Sequence, residues 1–511
     1  MSRRSVSILL AVTCWWTFSA SGQDASLVSS EFGILANSVA NLHAEGDSVW
    51  VGPFLNLTAD GGNTWQVAAA DSVGRSANRV FSIDVEGPVV WVGLGRSDSG
   101  TGQSVQTAAG FLVSTDGGRT FTYRFPQLDG PNDETIQYGV NTLSALPVIV
   151  PQQSPPFDID YDPVTGDVWV AGWASGIRRS SDGGLTWRRV VLPPDDLDYI
   201  HPDSTYGFRV EPQRGGTGEL NHMGFGVLVD ESGVVWAGTP AGLNRSEDGG
   251  LSWRRFSHDG TPGSLPGDWV ISIEEQPLPG RNPVWAATWN SGSGGTAQFG
   301  VAVTRDGGET FTPTLQGEKV YDFAFDGETV YAASDRGLYI SSDGGLIWES
   351  VTDFRDAGQP DRFVRPRSSV FSVATTPDAL WVGTEDGLLK SRDGGRTWRI
   401  IRANIPTQPV NPTDEVPRVD AYAYPNPFSP AIDRIVRFKY QLSSAGPVRI
   451  RILDFGMSLI REWTDDRAPG LVESVWDGRD ARGTRIANGP YFYTISGPGG
   501  FHASGKLLVI E

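Results

Sequence analysis

Short apolar runs, mostly three to five residues long, recur along the first 400 residues of the chain. Residues 90–93, 168–171 and 235–238 are typical: each combines Val and Trp with Gly or Ala and ends in a more polar stretch. Runs this short, rich in Val, Ile and Trp and separated by Gly, Asp and Ser, are typical of β-strands rather than helices. The pattern therefore predicts an all-β protein with many short strands.

One motif orders these strands. It has the form Ser/Thr-x-Asp-Gly-Gly-x-x-Trp/Phe, and it occurs seven times at intervals of 37 to 66 residues, with its aspartate at Asp60, Asp116, Asp182, Asp248, Asp306, Asp343 and Asp393. Two apolar runs precede the strand that leads into each motif, and the motif's aromatic residue opens a fourth. Four antiparallel strands in each of seven units predict a seven-bladed β-propeller over residues 24–405, each blade built from continuous sequence. Residues 28–34 are expected to add a strand at the seam where the ring closes.

The motif resembles the Asp box, also called the BNR repeat, of a propeller group that includes sialidases, xyloglucan-type glycoside hydrolases, sortilin ectodomains and a photosystem II assembly factor. The aspartate of such a turn accepts hydrogen bonds from backbone N–H groups, the two glycines allow positive φ, and the aromatic ring packs into the sheet. We therefore expect the seven aspartates to be structural, with calcium binding or acid catalysis as the alternatives.

The resemblance implies that ligands bind on the face opposite the Asp-box turns, where the long loops lie, and long loops on a rigid frame often carry binding residues. The candidate ligand residues in these loops are Asp198, His201, Tyr206, Arg209, Glu211, His222, Trp289, Arg362 and Arg365. Aromatic and carboxylate groups there are suited to a sugar, and two carboxylates are suited to its hydrolysis. A solvated loop surface is the alternative. His201 and His222 are not spaced as metal ligands, so no metal site and no cofactor are expected.

A sialidase-like enzyme would carry an arginine triad, a Tyr–Glu nucleophile pair and an Arg-Ile-Pro type motif in its first blade, and the xyloglucan hydrolases carry two propellers. The sequence matches neither pattern, and no catalytic residue is assigned. We therefore expect a non-catalytic scaffold that binds an unknown protein or glycan. A glycoside hydrolase and an assembly factor for an envelope complex remain alternatives.

The first residues are typical of a secretory signal peptide, residues 1–23. Arg3 and Arg4 precede an apolar run at 7–18, and small residues follow at 19–22. An N-terminal amphipathic or core helix is the alternative. The single cysteine, Cys14, lies inside this segment, so the mature chain should contain no disulfide. No later stretch reaches 18 uninterrupted apolar residues, so no membrane span is expected in the mature chain.

The end of the chain changes pattern. Residues 406–420 form a linker with several prolines. Six alternating runs over residues 421–511 predict an immunoglobulin-like β-sandwich, at 435–442, 448–454, 458–463, 473–476, 489–496 and 504–510. This unit resembles the Ig-like domain of flagellar hook-capping proteins and the C-terminal sorting tails of type IX secretion substrates, through the Tyr-Pro-Asn-Pro-Phe segment at 424–428, the Trp-Asp-Gly-Arg-Asp turn at 476–480 and the final strand at 505–510. The resemblance implies recognition by secretion machinery and a secreted or outer-surface location. A periplasmic location and a plain stabilising or adhesive sandwich are the alternatives.

Charge limits the partners. With 60 acidic and 41 basic residues the chain carries a net charge of −19, which disfavours nucleic acid. Residues 421–511 hold 11 basic and 9 acidic side chains, so the acidity belongs to the predicted propeller. A negative surface favours cationic partners or simple solubility and is poorly suited to anionic sialosides or lipids.

Overall fold

The computed structural model describes residues 25–30, 33–68, 78–99, 104–214, 216–290, 296–404 and 419–511. The predicted signal peptide and all but the last two residues of the predicted linker lie outside this part of the chain. Within it the structure is almost entirely β, and its two 3₁₀ turns are Leu220–His222 and Pro498–Gly500. No helix in the described ranges is long and apolar enough to cross a membrane.

Seven antiparallel units of four strands follow one another along the chain, and we number them as blades 1 to 7; a rim strand joins the first two units into one nine-stranded sheet. Within each blade the strands are adjacent in chain order, from an inner strand to an outer strand. The strands are Leu42–Glu45, Ser48–Val51, Asn56–Thr58 and Trp65–Ala68 in blade 1; Arg79–Glu86, Val89–Asp98, Val105–Ser114 and Thr120–Arg124 in blade 2; Pro156–Tyr161, Val168–Gly172, Gly176–Ser180 and Arg188–Arg189 in blade 3; Gly226–Val229, Val235–Thr239, Gly242–Ser246 and Trp253–Phe256 in blade 4; Trp269–Glu275, Val284–Trp289, Gly300–Thr304 and Thr312–Thr314 in blade 5; Val320–Asp326, Thr329–Ser334, Gly337–Ser341 and Glu349–Val351 in blade 6; and Val370–Thr376, Ala379–Thr384, Gly387–Ser391 and Arg399–Ile401 in blade 7.

The blades form a closed ring. Each inner strand contacts the inner strand of the next blade, and the inner strand of blade 7 contacts that of blade 1. At this seam the Val39 N–H donates to the Thr384 carbonyl at 2.9 Å, and Val49 and Trp381 share one buried cluster. The all-β propeller that the sequence predicts is therefore present, with each blade made from one continuous stretch.

Neighbouring blades meet where an Asp-box glycine covers a tryptophan. Trp91, on the second strand of blade 2, is 2% exposed, and Gly184 of the blade 3 Asp box lies on its ring. Gly184 has φ of 78°, and a Cβ there would come within 2.8 Å of the Trp91 ring. The same contact joins Gly62 of blade 1 to Trp381 of blade 7 across the seam. A side chain at the second glycine would therefore push adjacent blades apart.

The strand Ala25–Ser30 lies at the rim rather than at the seam. It pairs antiparallel with the outer strand of blade 1, Leu27 opposite Ala68, and also with the outer strand of blade 2, Ala25 opposite Phe121. An outer strand has a free hydrogen-bonding edge, and this segment covers two such edges at once. The following residues reach the seam, where Ile34 is buried.

A small insertion packs on blades 3 and 4. It contains the hairpin Thr135–Tyr138 and Asn141–Ser144, and the short strand Tyr199–Ile200, which pairs with the outer strand of blade 4. Its buried side chains share one cluster with the blade residues Trp169 and Trp253. Two arginines from blade 3, Arg178 and Arg189, form ion pairs with Asp129 beneath it.

The C-terminal residues form two sheets packed face to face around Phe438, Trp476 and Tyr493. One sheet contains Ala421–Tyr424, Val436–Leu442 and Gly470–Trp476; the other contains Leu459–Arg467, Gly446–Leu453, Gly489–Ser496 and His502–Val509. The strand Ala421–Tyr424 precedes the first run expected from the sequence.

The outer face of the three-stranded sheet docks on blade 7 through buried charges. Arg437 alternates with the core residue Phe438 and therefore points the other way, toward the propeller. Its guanidinium donates to both oxygens of Asp386, at 3.0 and 2.6 Å. Arg402 of the propeller lies beside it and donates to Glu473 of the sandwich at 2.8 Å. The two domains therefore share one network of ion pairs.

Candidate functional site

The face opposite the Asp-box turns carries a group of aromatic rings around the central channel. In each blade the turns after the first and third strands lie at one face, so the inner strands begin at the other face. Near the beginnings of six inner strands stand aromatic residues, and two further tryptophans from blades 3 and 5 lie beside them. We call these partly buried rings the aromatic crown: Phe81, Phe157, Phe225, Trp269, Tyr321, Phe371, Trp173 and Trp289.

The crown rings contact one another in two arcs. In the first arc Phe157 lies between Phe81 and Phe225, with 6.1 Å between ring centroids on each side. Phe225 also contacts Trp173 at 5.0 Å. In the second arc Tyr321 contacts Trp289 at 5.5 Å and Phe371 at 5.7 Å. These spacings are ordinary for paired aromatic rings, so the crown is a packed rim.

Below the crown the channel holds a cavity of about 170 Å³. Its upper wall includes Phe81, Phe157, Tyr321 and Phe371, and its polar wall includes Asp158, Glu274, Asp322 and His43. The acidic residues come from the inner strands of blades 3, 5 and 6. The mouth of the channel therefore combines an aromatic rim with a carboxylate lining.

The channel carboxylates connect neighbouring blades. Asp158 of blade 3 accepts the Val227 N–H of blade 4 at 2.9 Å, and Asp322 of blade 6 accepts the Val373 N–H of blade 7 at 2.9 Å. Deeper in the channel Asp84 makes the same contact from blade 2 to blade 3. An inner strand has one edge without a neighbouring strand, and these carboxylates satisfy donors on that edge.

Burial dominates the electrostatics of the channel. Removal from water raises the pKa of Asp84, Asp158 and Asp322 to about 7. It also raises the pKa of Glu274 well above its usual range, with the charges of Asp322 and Asp158 adding to the effect. Burial lowers the pKa of His43. Enclosure in the channel therefore favours the uncharged forms of these carboxyl groups and of the imidazole.

Glu274 differs from its neighbours in the cavity. Among the residues that the structure describes, its carboxylate accepts no hydrogen bond, whereas Asp158 and Asp322 each accept two backbone N–H groups. No Lys or Arg lines the cavity within the same part of the chain. Glu274 is therefore the group at the mouth with the most capacity for an added partner.

Reasoning from the sequence pointed to loops and did not select the channel carboxylates. The signal was present: in residues 82–86 and 156–161, acidic side chains alternate with apolar ones at a period of two. Such alternation places the acidic set on one side of a strand. On an innermost strand that side is the channel. Trp289 is the sequence candidate that belongs to the crown.

Six of the other candidates lie together around the insertion on blades 3 and 4. Asp198 pairs with Arg255 at 3.0 Å, Arg209 pairs with Glu211 at 3.2 Å, and the Tyr206 hydroxyl accepts the His201 N–H at 3.0 Å. None of these candidates lines the channel cavity.

The sixth, His222, is 7% exposed. Its Nδ1 lies 3.2 Å from the Glu211 backbone nitrogen and its Nε2 lies 3.1 Å from the Leu192 carbonyl. Burial lowers its pKa to about 4. These contacts give His222 a part in holding the insertion together.

The two remaining candidates lie where the sandwich meets the propeller. Arg365 is 3.3 Å from Asp433 of the sandwich and 3.3 Å from Glu385 of blade 7. Arg362 lies 3.8 Å from Glu473. The structure therefore engages both arginines in contacts between the domains.

The Asp-box turns repeat one geometry in all seven blades: the aspartate Oδ1 accepts the backbone N–H four residues later. In blade 3 the Thr186 N–H donates to Asp182 at 2.9 Å, and the Thr186 hydroxyl donates at 2.6 Å. Ser180 donates to Asp182 and accepts the Gly184 N–H, both at 2.8 Å. The bonds from the Thr186 hydroxyl and N–H are the main cause that lowers the pKa of Asp182 to about 2.

The described residues contain no group of three or more His, Cys, Asp or Glu side chains arranged to hold a metal ion. In the channel, Asp158 and Asp322 accept backbone N–H groups of neighbouring strands.

No protein-family model matches the chain, and no curated protein matches it. Among solved structures, it is similar to PorZ, a surface component of the type IX secretion system of Porphyromonas gingivalis, with 15% identity and a TM-score of 0.43 over 93% of this chain and 66% of that one. YCF48 from Cyanidioschyzon merolae shows 14% identity and a TM-score of 0.36 over 78% of this chain and 95% of that one. An ancestral GH74 enzyme shows 13% identity and a TM-score of 0.33 over 93% and 72%. The chain thus spans less than two thirds of PorZ. The order of its own strands shows the propeller fold.

Proposed function

We propose that this chain is a secreted or cell-surface propeller protein that binds its ligand at the aromatic crown without catalysis, and that its C-terminal sandwich directs its export. The crown is the observation that carries the binding part. Eight partly buried rings lie on the face away from the Asp-box turns, and four of them line one cavity: Phe81, Phe157, Tyr321 and Phe371. Aromatic surface concentrated at a concavity with a few polar groups is typical of a ligand site.

Binding is favoured over glycoside hydrolysis by the state of the carboxylates at the mouth. A typical glycosidase needs two carboxyl groups, one as acid and one as nucleophile or base. Asp158 and Asp322 hold backbone N–H groups of the next blade. Of the three carboxylates that line the cavity, this leaves Glu274 without a structural contact among the described residues. One such carboxylate is suited to binding and insufficient for that mechanism.

Export through the sandwich is supported by the way the domain is docked. Its three-stranded sheet faces blade 7 through Arg437 and Glu473, so the four-stranded sheet faces away from the propeller. The last strand, His502–Val509, ends that outward sheet, and Phe428 exchanges backbone hydrogen bonds with Leu508 and Ile510 along its outer edge. Leu508 and Ile510 at this end are 40% and 48% exposed. Secretion machinery could contact this edge while the domain stays docked.

The test compares where three forms of the protein accumulate in cells that produce it. We expect the full chain outside the cell or on its surface, and a form lacking residues 419–511 in the periplasm. Because that deletion uncovers the buried Arg402, a full-length variant with Leu508→Ser and Ile510→Ser, which keeps the docked face, should also be retained. Unchanged surface accumulation of both altered forms would contradict the export role. A screen for glycan hydrolysis by the full chain should be negative.

A further inference from the structure

We propose that the aromatic crown recognises a cationic side chain, an arginine guanidinium or a lysine ammonium presented by a peptide or protein partner. This inference rests on the proposed function, since it takes the crown as the ligand site. It adds the chemical class of the ligand, which the fold alone does not indicate.

The size of the cavity favours one side chain. Sites for whole small molecules usually enclose about 300–1,000 Å³. The cavity beneath the crown measures about 170 Å³, and the rings of Phe157 and Tyr321 stand at its entrance. A single long side chain fits such a space, with the rest of the partner lying across the rim.

The rim already holds a cation of the protein itself. The Lys319 Nζ lies 3.9 Å from the centroid of the Trp289 ring and 5.6 Å from that of Tyr321. An ammonium over an aromatic face is attracted by the negative charge density of that face. The geometry of the crown is therefore compatible with cation–π contacts at a second position, over the rings that enclose the cavity.

The floor of the cavity holds carboxyl groups that a bound cation would keep ionised, and these would supply the counter-charge. Glu274 accepts no hydrogen bond from the described residues, and Asp158 and Asp322 lie in the same cavity. No Lys or Arg side chain in the described part of the chain lines it, in contrast to the domain interface, where Arg402 and Arg437 neutralise Glu473. A cation from a partner would supply the positive charge that the described part of the chain does not place in the cavity. An anionic ligand would favour the protonated carboxyl groups and meet no opposite charge.

The experiment is a calorimetric titration of the full chain with four capped pentapeptides, Gly-Gly-X-Gly-Gly, in which X is arginine, lysine, citrulline or glutamate. Citrulline keeps the shape of arginine and removes its charge. We expect the arginine and lysine peptides to bind, the citrulline peptide to bind at least tenfold more weakly, and the glutamate peptide to show no binding. Equal affinity for the arginine and citrulline peptides would overturn the proposal.

Two variants test whether the peptide binds at the crown. Glu274→Gln should lower the affinity for the arginine peptide at least tenfold. Phe157→Leu, which keeps an apolar group but removes the ring, should lower that affinity about threefold. The matched control is Glu309→Gln, an equal charge change at a side chain that is 69% exposed on an Asp-box turn, and it should change the affinity less than twofold. If Glu309→Gln weakens binding as much as Glu274→Gln, the effect is one of net charge and the proposal fails.

The remaining outcomes separate this inference from the proposed function. Absence of binding for all four peptides overturns the cationic ligand, while export and the use of the crown for a neutral ligand would still stand. Binding of the arginine peptide that survives both Glu274→Gln and Phe157→Leu contradicts the crown as the site, and with it the binding part of the proposed function.

Discussion

The Asp-box turns and the central channel use the same kind of side chain under opposite conditions. Asp182 lies at an exposed turn, and hydrogen bonds from the Thr186 hydroxyl and N–H lower its pKa to about 2. Asp158 also accepts two N–H groups, yet burial raises its pKa to about 7. Both groups accept two backbone N–H donors, and Asp182 accepts two hydroxyls besides, yet the two pKa values move in opposite directions. Access of water decides the direction of the shift, because removal from water raises the pKa of Asp158 by more than its two N–H donors lower it.

The domain interface shows what the channel lacks. Glu473 is 9% exposed, and its burial alone would raise its pKa. The charges of Arg402, Arg362, Lys439 and Arg437 outweigh that burial and lower it. A buried carboxylate stays ionised where the protein fixes cations beside it. The channel has the enclosed carboxylates without the cations, and this difference is the physical basis for expecting a cation from outside.

The largest effect is expected from breaking the interface. Glu473→Gln leaves Arg402, which is 2% exposed, and Arg437 with one anion fewer. Removing one partner of a buried ion pair typically costs about 3–5 kcal/mol. We expect a loss of this size in the free energy of unfolding, measured by urea denaturation. The control is Glu462→Gln in the same sandwich, whose pair with Arg451 is 40–47% exposed and should contribute less than about 1 kcal/mol. Equal small losses for both variants would show that the network is not required for stability.

A smaller effect is expected from the channel when the pH changes. Carboxyl groups with raised folded-state pKa values bind more protons in the folded than in the unfolded chain between about pH 4 and 7, so stability should fall as pH rises through that window. Because the channel is open to water at its mouth, we expect a total loss on the order of 2–3 kcal/mol in the free energy of unfolding. Thermal unfolding at constant ionic strength across this pH range measures the loss. The triple variant Asp84→Asn, Asp322→Asn and Glu274→Gln should flatten the profile. If its slope equals that of the unmodified protein, the channel groups do not titrate in this range.

Local signals in the sequence were sufficient for the fold. The seven Asp-box motifs with their fixed spacing to flanking strands predicted the blades, and the strand Gly489–Ser496 of the sandwich has the bounds expected from its alternation. A strand over residues 28–34 was expected at the seam, whereas the strand in the structure is Ala25–Ser30 and lies between blades 1 and 2. Its place depends on which outer edges are free once the ring has closed, and no local pattern contains that information.

The crown and the channel were harder to predict because they are assembled from all around the ring. Phe81 and Phe371 are 290 positions apart in the chain, and each alone is an ordinary strand residue. Their meeting follows from closure of the propeller. The loop candidates were conspicuous because they are charged, but side chains such as Asp198 and Arg209 form pairs within their own neighbourhood. Charge density in a loop was therefore a weaker guide than the alternation of acidic and apolar residues on the innermost strands.

The smallest of the three effects is expected at a single Asp box. Asp182→Ala removes the acceptor of two backbone N–H groups and two hydroxyls at the blade 3 turn, where water can replace part of what is lost. We expect a loss of about 1–2 kcal/mol in the free energy of unfolding. Asp182→Asn keeps one acceptor oxygen and should lose less than half as much at pH 7.

Because the folded-state pKa is depressed to about 2, the stabilisation by the carboxylate is present above about pH 4 and disappears as the pH falls toward 2. The difference between the unmodified protein and Asp182→Asn should therefore vanish near pH 2, opposite in direction to the channel. A difference that persists at pH 2 would mean that the shape of the turn, rather than its charge, is what the aspartate supplies.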